Sequence, residues 1–182
     1  MEKLNSFIQG KELYVESFLK KRNVRINNLN TISKEWEEYF YRFNIVENDF
    51  LKSYLSVNNL HVEGSICIWF YGKEIISFRH WDLIDQLWCY FIDSINLLMI
   101  DGIKETSFSF PDQPLDVVIK KDELNIILFF DGREVLNISE DLFCRVLLNS
   151  ATYFLERLSE VLKNNSYRLY VSKAKEVLKL LS

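Results

Sequence analysis

Two segments of the chain are patterned as β-strands. Residues 60–78 hold a run rich in β-branched and aromatic residues, then Gly72-Lys73 and a second short apolar run, which predicts an antiparallel hairpin. Residues 105–138 contain short apolar runs, the first alternating with serines, and the last two joined by the turn dipeptide Asp131-Gly132. This pattern predicts a meander. Together the two segments predict a mainly antiparallel sheet of about five to six strands.

Apolar residues three to four positions apart mark the helices. They predict a central helix over residues 81–100, between the hairpin and the meander, and two C-terminal helices over residues 140–163 and 167–181. Ser139, which two acidic residues follow, is the expected N-cap of the first C-terminal helix. The sheet is therefore predicted to pack against the central helix and the C-terminal helices.

The N-terminal region is predicted to be helical. Leu13, Phe18 and their apolar neighbours suggest one face of a helix, followed by a polar loop, so that residues 1–30 are expected to pack loosely. A further helix is expected to begin near Lys34, with Ser33 as its N-cap and apolar residues at helical spacing up to position 55.

Composition fits one folded domain. The 182 residues are 48% apolar and 15% aromatic, and no low-complexity linker interrupts them. We therefore predict a single α+β domain over residues 1–182. The apolar stretches are short or interrupted by polar residues, and the amino terminus lacks the pattern of a secretion signal. No membrane span and a cytoplasmic location are expected.

The sequence offers little catalytic or metal-binding chemistry. The five glycines are isolated, so no phosphate-binding loop is predicted, and His61 and His80 do not have the spacing of metal ligands. Cys67, Cys89 and Cys144 are widely separated in apolar surroundings and are expected to be buried thiols. We predict no catalytic residue, no metal and no cofactor, and a protein that is not an enzyme.

Charge is distributed unevenly along the chain. Residues 61–160 carry eight basic and seventeen acidic side chains, whereas residues 161–182 carry five basic and one acidic. The acidic middle would repel the phosphates of a nucleic acid and could attract a basic partner. The alternative is an acidic surface that serves only to keep the protein in solution.

Three motifs set among predicted antiparallel strands carry a resemblance to a class of proteins. They are Trp81-Asp82, Asp85-Gln86-Leu87-Trp88 and Phe110-Pro111-Asp112-Gln113-Pro114. Over residues 60–160 the chain resembles the small acidic immunity proteins of bacterial polymorphic-toxin systems. The resemblance implies a non-enzymatic protein that covers a basic toxin domain with carboxylates and aromatic anchors.

Five residues are the expected partner contacts on this hypothesis, because carboxylates complement a basic surface and tryptophan fills partner pockets. They are Trp81, Asp82, Asp85, Asp112 and Asp116.

Two alternatives remain open. A small-molecule-binding or catalytic domain would place a pocket between the central helix and the sheet, where Trp69, His80, Trp88 and Tyr90 could converge. A homodimer, formed through an exposed strand edge or the terminal helix, is compatible with either function.

Overall fold

The chain divides into two compact units in the computed structural model, Met1–Ile84 and Asp85–Ser182. The structure describes residues 4, 8–56 and 61–182. The predicted α+β class with antiparallel strands is confirmed. The single predicted sheet was wrong, because the strands form one sheet of five and another of four. The prediction of one domain over the whole chain did not anticipate this division.

The first unit is built on a five-stranded antiparallel sheet. Four strands follow the order β2-β1-β3-β4, and a short fifth strand, β5, also pairs with β3. The strands are β1 (Leu13–Lys20), β2 (Phe40–Arg42), β3 (Glu63–Phe70), β4 (Lys73–Ile76) and β5 (Asp82–Leu83).

β1 corrects the prediction of a helix for residues 13–20, whereas Leu4 and Ile8, nearer the amino terminus, are helical. It lies inside the sheet, where Phe18 pairs with Arg42 of β2 on one side and with Ser65 of β3 on the other. Six of its eight residues are buried, which requires apolar side chains on both faces. The apolar residues of this segment therefore fit a helical face and a buried strand equally well.

The predicted helix from Lys34 is also shorter than expected. α1 (Trp36–Tyr39) begins after Glu35 rather than after Ser33, and α2 (Asn48–Ser56) is separate from it. Between them the chain becomes extended at Phe40, whose ring packs 5.1 Å from that of Phe78 in the core. Tertiary packing thus overrides the helical spacing of these aromatic residues.

The predicted hairpin of residues 60–78 is confirmed by β3 and β4. Tyr71 and Gly72 both have positive φ, 47° and 78°, as a tight hairpin turn requires. Gly64 marks a close approach between strands, because a Cβ at this position would lie 2.0 Å from the carbonyl oxygen of Phe18. Only glycine fits there without moving β1.

The second unit agrees closely with the sequence analysis. Ser139 caps the long C-terminal helix, accepting a hydrogen bond from the Leu142 backbone N–H at 3.4 Å. The elements are α3 (Ile84–Met99), β6 (Glu105–Ser109), β7 (Asp116–Asp122), β8 (Asn125–Phe130), β9 (Arg133–Ser139), α4 (Glu140–Leu162) and α5 (Arg168–Leu180).

The strands β6 to β9 form a sheet in chain order, and α3 contacts both this sheet and α4. Phe91 of α3 meets Phe108 of β6 with ring centroids 4.9 Å apart, and the buried Trp88 lies 6.5 Å from Phe154 of α4. None of the helices in the described residues combines the length and the apolar character needed to cross a lipid bilayer.

Candidate functional site

Three exposed aspartates lie at one end of the sheet of the second unit. Asp116 is the first residue of β7 and pairs with Ser109, the last residue of β6, while Asp112 lies in the connection between these strands. Asp131, in the turn between β8 and β9, donates its backbone N–H to the carbonyl oxygen of Asp116 at 2.8 Å. We refer to Asp112, Asp116 and Asp131 as the acidic end.

Local structure holds the acidic end in place. The β6–β7 connection closes on itself, because the backbone N–H of Phe110 donates to the carbonyl oxygen of Leu115 at 2.9 Å. The Ser109 hydroxyl donates to Asp116 Oδ1 at 2.6 Å and fixes that carboxylate. On the β8–β9 side, Asp131-Gly132 forms the predicted tight turn, with φ of 49° and 72°.

The acidic end concentrates negative charge. Segments 109–116 and 130–134, which form this end of the sheet, contain one basic residue, Arg133, and a fourth acidic one, Glu134, beside the three aspartates. Glu134 is exposed as well. This part of the surface can therefore attract a cation or a basic protein segment.

Opposite charges are paired at the other end of the same sheet. Lys120 lies 2.8 Å from Glu105, and Lys121 lies 2.6 Å from Glu140. These two pairs neutralise part of the charge at this end, where Asp122 and Glu123 are also exposed. The segments of the acidic end differ in having four acidic residues beside one basic residue.

The basic C-terminal helix neutralises acidic residues elsewhere in the second unit. Lys173 of α5 lies 2.6 Å from Asp93 of α3, and Lys175 lies 2.6 Å from Glu156 of α4. Two of the five basic residues in segment 161–182 are thus paired with acidic residues of α3 and α4. They do not offset the charge of the acidic end.

Two of the predicted contact residues are buried. Asp82 is 1% exposed and accepts a hydrogen bond from the Leu83 backbone N–H at 2.6 Å. Asp85 is 5% exposed and accepts one from the Tyr167 hydroxyl at 2.9 Å. Both carboxylates are largely shielded from solvent in the structure, and their role as partner contacts stays a prediction.

Trp81 lies at the edge of the core of the first unit. It is half-buried and packs against the aromatic cluster of that unit. The Lys20 ammonium nitrogen sits 4.1 Å from the centroid of its ring and also 2.7 Å from Glu63. The part of Trp81 available to a partner is accordingly small.

His80 has a structural role. Its Nδ1 accepts a hydrogen bond from the Ser77 backbone N–H at 3.0 Å, and it thereby completes the cap of the short 3₁₀ turn Phe78–His80. Because Nδ1 acts as an acceptor, it carries no proton in this arrangement. The His80 ring therefore stabilises this turn.

Two of the aromatic residues predicted to line a pocket contribute to separate cavities, one in each unit. Trp69 lines a cavity of about 690 Å³ in the first unit, and His80 is not part of that lining. Tyr90 lines a cavity of about 300 Å³ in the second unit, and Trp88 is absent from its walls. Trp88 itself is fully buried in packing contacts.

The three cysteines are buried and free, as the sequence predicts. Burial raises the pKa of the Cys67 thiol well above its ordinary value and raises the pKa of Cys89 and of Cys144 to about 12. These thiols remain protonated at neutral pH and are poor nucleophiles. Within the described residues, no group of three histidine, cysteine or acidic side chains could hold a metal ion.

The sequence analysis missed two arginines of the first unit. Arg42 forms a buried bidentate ion pair with Glu16, at 2.8 Å and 2.9 Å. Its signal in the sequence is Glu16 itself, an acidic residue inside a strongly apolar run, which needs a partner if the run is buried. Arg22 lines a small aromatic cavity. Nothing in its sequence neighbourhood indicates this position.

The acidic end is the best-defined candidate site of the second unit. It gathers two predicted contacts, Asp112 and Asp116, and adds Asp131, which the sequence analysis interpreted only as a turn residue. Its side chains present exposed negative charge at one end of a hydrogen-bonded sheet. No protein-family model, curated protein or solved structure matches this chain.

Proposed function

We propose that the protein is a non-enzymatic binding protein that engages a basic partner protein through the acidic end. The observation that carries this proposal is the grouping of Asp112, Asp116 and Asp131, all exposed, at one end of a hydrogen-bonded sheet. Carboxylates held by strands and tight turns present a fixed pattern of charge. Binding to a complementary basic surface therefore requires little loss of conformational entropy at this end of the sheet.

Long-range attraction would be the main contribution of these carboxylates. Exposed charges increase the rate of association with an oppositely charged protein and add modest affinity, and salt weakens both effects. Three exposed ion pairs of about 0.5 kcal/mol each would amount to about a tenfold change in affinity. Binding through the acidic end should therefore depend visibly on ionic strength.

The finer proposal is that the partner is a toxin domain and that the protein acts as its cytoplasmic immunity protein. The resemblance of residues 60–160 to that class supports it, together with seventeen acidic against eight basic residues in residues 61–160. An inhibitor of this kind needs no catalytic group, since covering the active surface of the toxin is sufficient.

Affinity capture of full-length protein from an extract of its native host, at low salt, tests the binding proposal. The variant Asp112→Asn/Asp116→Asn/Asp131→Asn removes the charge and keeps the side-chain size. The matched control, Asp122→Asn/Glu123→Gln, removes two exposed charges from the turn between β7 and β8 at the other end of the sheet.

We expect the unmodified protein and the control to recover the same basic protein, and the triple variant to bind that purified protein about tenfold more weakly. Equal binding by the triple variant, or recovery of partners without basic character, would contradict the proposal. For the immunity role, co-expression with a toxin encoded by a neighbouring gene should restore growth, and the triple variant should restore it less well.

A further inference from the structure

A small cavity in the first unit contains an arginine with two buried nitrogens that have no hydrogen-bond acceptor among the described residues. The cavity has a volume of about 160 Å³ and is lined by Arg22, Tyr41, Phe50, Ser53 and Tyr54. Nε and Nη2 of Arg22 are buried, and across residues 8–56 and 61–182 no atom accepts a hydrogen bond from either. Buried guanidinium donors without acceptors are costly, so an acceptor is expected to enter.

The Arg22 guanidinium lies over an aromatic ring of the cavity wall. Its central carbon lies 4.6 Å from the centroid of the Tyr54 ring, within the range of a cation–π contact. Tyr54 is fixed in turn, because its hydroxyl donates to the carbonyl oxygen of Lys20 at 2.8 Å. Stacking occupies the face of a guanidinium and leaves its in-plane N–H groups for a hydrogen-bonding partner.

The corresponding two nitrogens of Arg42, another arginine of this unit, do have an acceptor. Arg42 directs Nε and Nη2 at the two carboxylate oxygens of Glu16, at 2.8 Å and 2.9 Å. This side-on bidentate geometry is the typical pairing of arginine with a carboxylate. Arg22 offers the same edge with no carboxylate in place.

The cavity walls define the size and charge of what could enter. Tyr41 and Phe50 meet edge to face with centroids 4.9 Å apart, and Phe50, the outermost ring, is 39% exposed. A volume of 160 Å³ lies below the usual range for a drug-sized ligand, so a single functional group fits better than an extended molecule. Among the described residues of the lining Arg22 is the one that carries a charge, which favours a ligand with a single negative charge.

We propose that this cavity binds a carboxylate, held bidentately by Nε and Nη2 of Arg22 between the aromatic walls. A carboxylate matches the planar fork of the guanidinium and carries the one negative charge that Arg22 can neutralise. A phosphate dianion would bring a second charge into apolar surroundings that offer no second cation in the lining. The site belongs to the first unit and does not depend on the acidic end.

The carboxylate could belong to a small organic acid or to an acidic side chain of a peptide. Both sources present the same group to Arg22, so the experiment treats them as separate arms. Nuclear magnetic resonance of the arginine Nε–H groups, on the full-length protein, follows titrations with acetate and with a blocked glutamate peptide. Inorganic phosphate is the competing anion, and sodium chloride controls for ionic strength.

Two variants make the measurement specific to Arg22. Arg22→Lys keeps the positive charge but cannot form the side-on bidentate pair. Arg25→Gln removes an exposed arginine three residues further along the chain and serves as the matched control. Circular dichroism spectra of both variants establish that the fold is retained.

We expect the Arg22 Nε–H resonance to shift and saturate with acetate, with the glutamate peptide or with both, and not with chloride. Arg22→Lys should weaken binding at least tenfold, as followed by backbone amide shifts, whereas Arg25→Gln should leave it unchanged. The arm that saturates at lower concentration identifies the source of the carboxylate. The proposal is overturned by tighter binding of phosphate, by the absence of saturation in both arms, or by equal binding of the Arg22→Lys variant.

Discussion

The buried ion pair between Glu16 and Arg42 provides a quantitative test of the core of the first unit. The side chain of Glu16 is fully buried and that of Arg42 is 9% exposed. The Tyr14 hydroxyl donates a third hydrogen bond to Glu16, at 2.7 Å from Oε2. The perturbation is Arg42→Met, which keeps an unbranched side chain and removes the guanidinium.

We expect Arg42→Met to lower the free energy of unfolding by about 3–5 kcal/mol, because it leaves the Glu16 carboxylate buried without its cation. The double variant Glu16→Leu/Arg42→Met removes both charges and should be close to the unmodified protein in stability. The control is Lys175→Met at the exposed pair with Glu156, which should cost less than about 1 kcal/mol.

Urea unfolding followed by tryptophan fluorescence measures these differences. Three of the four tryptophans, Trp36, Trp69 and Trp81, lie in the first unit, so the signal reports mainly on the part of the chain that contains the ion pair. A cost below about 1 kcal/mol for Arg42→Met would show that Glu16 is solvated in solution. A double variant as unstable as the sum of its single variants would refute the argument from pairing.

Three further predictions concern other parts of the fold. Gly64→Ala should lower the free energy of unfolding by about 3 kcal/mol or more, because its Cβ would lie 2.0 Å from the Phe18 carbonyl oxygen; an unchanged urea midpoint would contradict this. Tyr167→Phe should cost about 1.5–3 kcal/mol in the same assay by removing the hydrogen bond to the buried Asp85 carboxylate, and an unchanged stability would contradict this. Burial, followed by nearby carboxylates, raises the pKa of Cys89 to about 12, so the stability that this thiol contributes is complete below its unfolded pKa of about 8.5 and decreases from there until the pH passes the folded value. Cys89→Ala should therefore flatten the decline of unfolding free energy between about pH 8.5 and 10, and an identical slope would count against the effect.

The fold was predictable where local sequence and tertiary environment agree. The strands β6 to β9 alternate between a buried and an outer face and are joined by short turns such as Asp131-Gly132, so the pattern alone indicates them. β1 was missed because its burial on both faces removes the alternation. Phe40 was assigned to a helix because its distance along the chain from Trp36 and Phe43 fits a helical face. In the structure it is the first residue of β2 and is buried in the core.

The candidate site was predictable only in part. Asp112 was identified in a proline-bounded connection and is exposed, whereas Asp85 stands near a helix start, where an aspartate can face either solvent or the interior. Asp131 joins the site through strand register, which cannot be read from one sequence. Arg22 meets Tyr41 and Tyr54 only after the chain has folded, so no spacing rule would have found that cavity.

The position of β1 inside its sheet has a consequence for how the chain folds during synthesis. Leu13 pairs with Phe70, so a strand made early must wait for one made much later, while its apolar side chains are exposed to the ribosome surface and to chaperones. In the second unit each strand pairs with the next one to emerge, as Val117 does with Phe130. Folding of the first unit is therefore expected to be the slower step and the one more prone to aggregation.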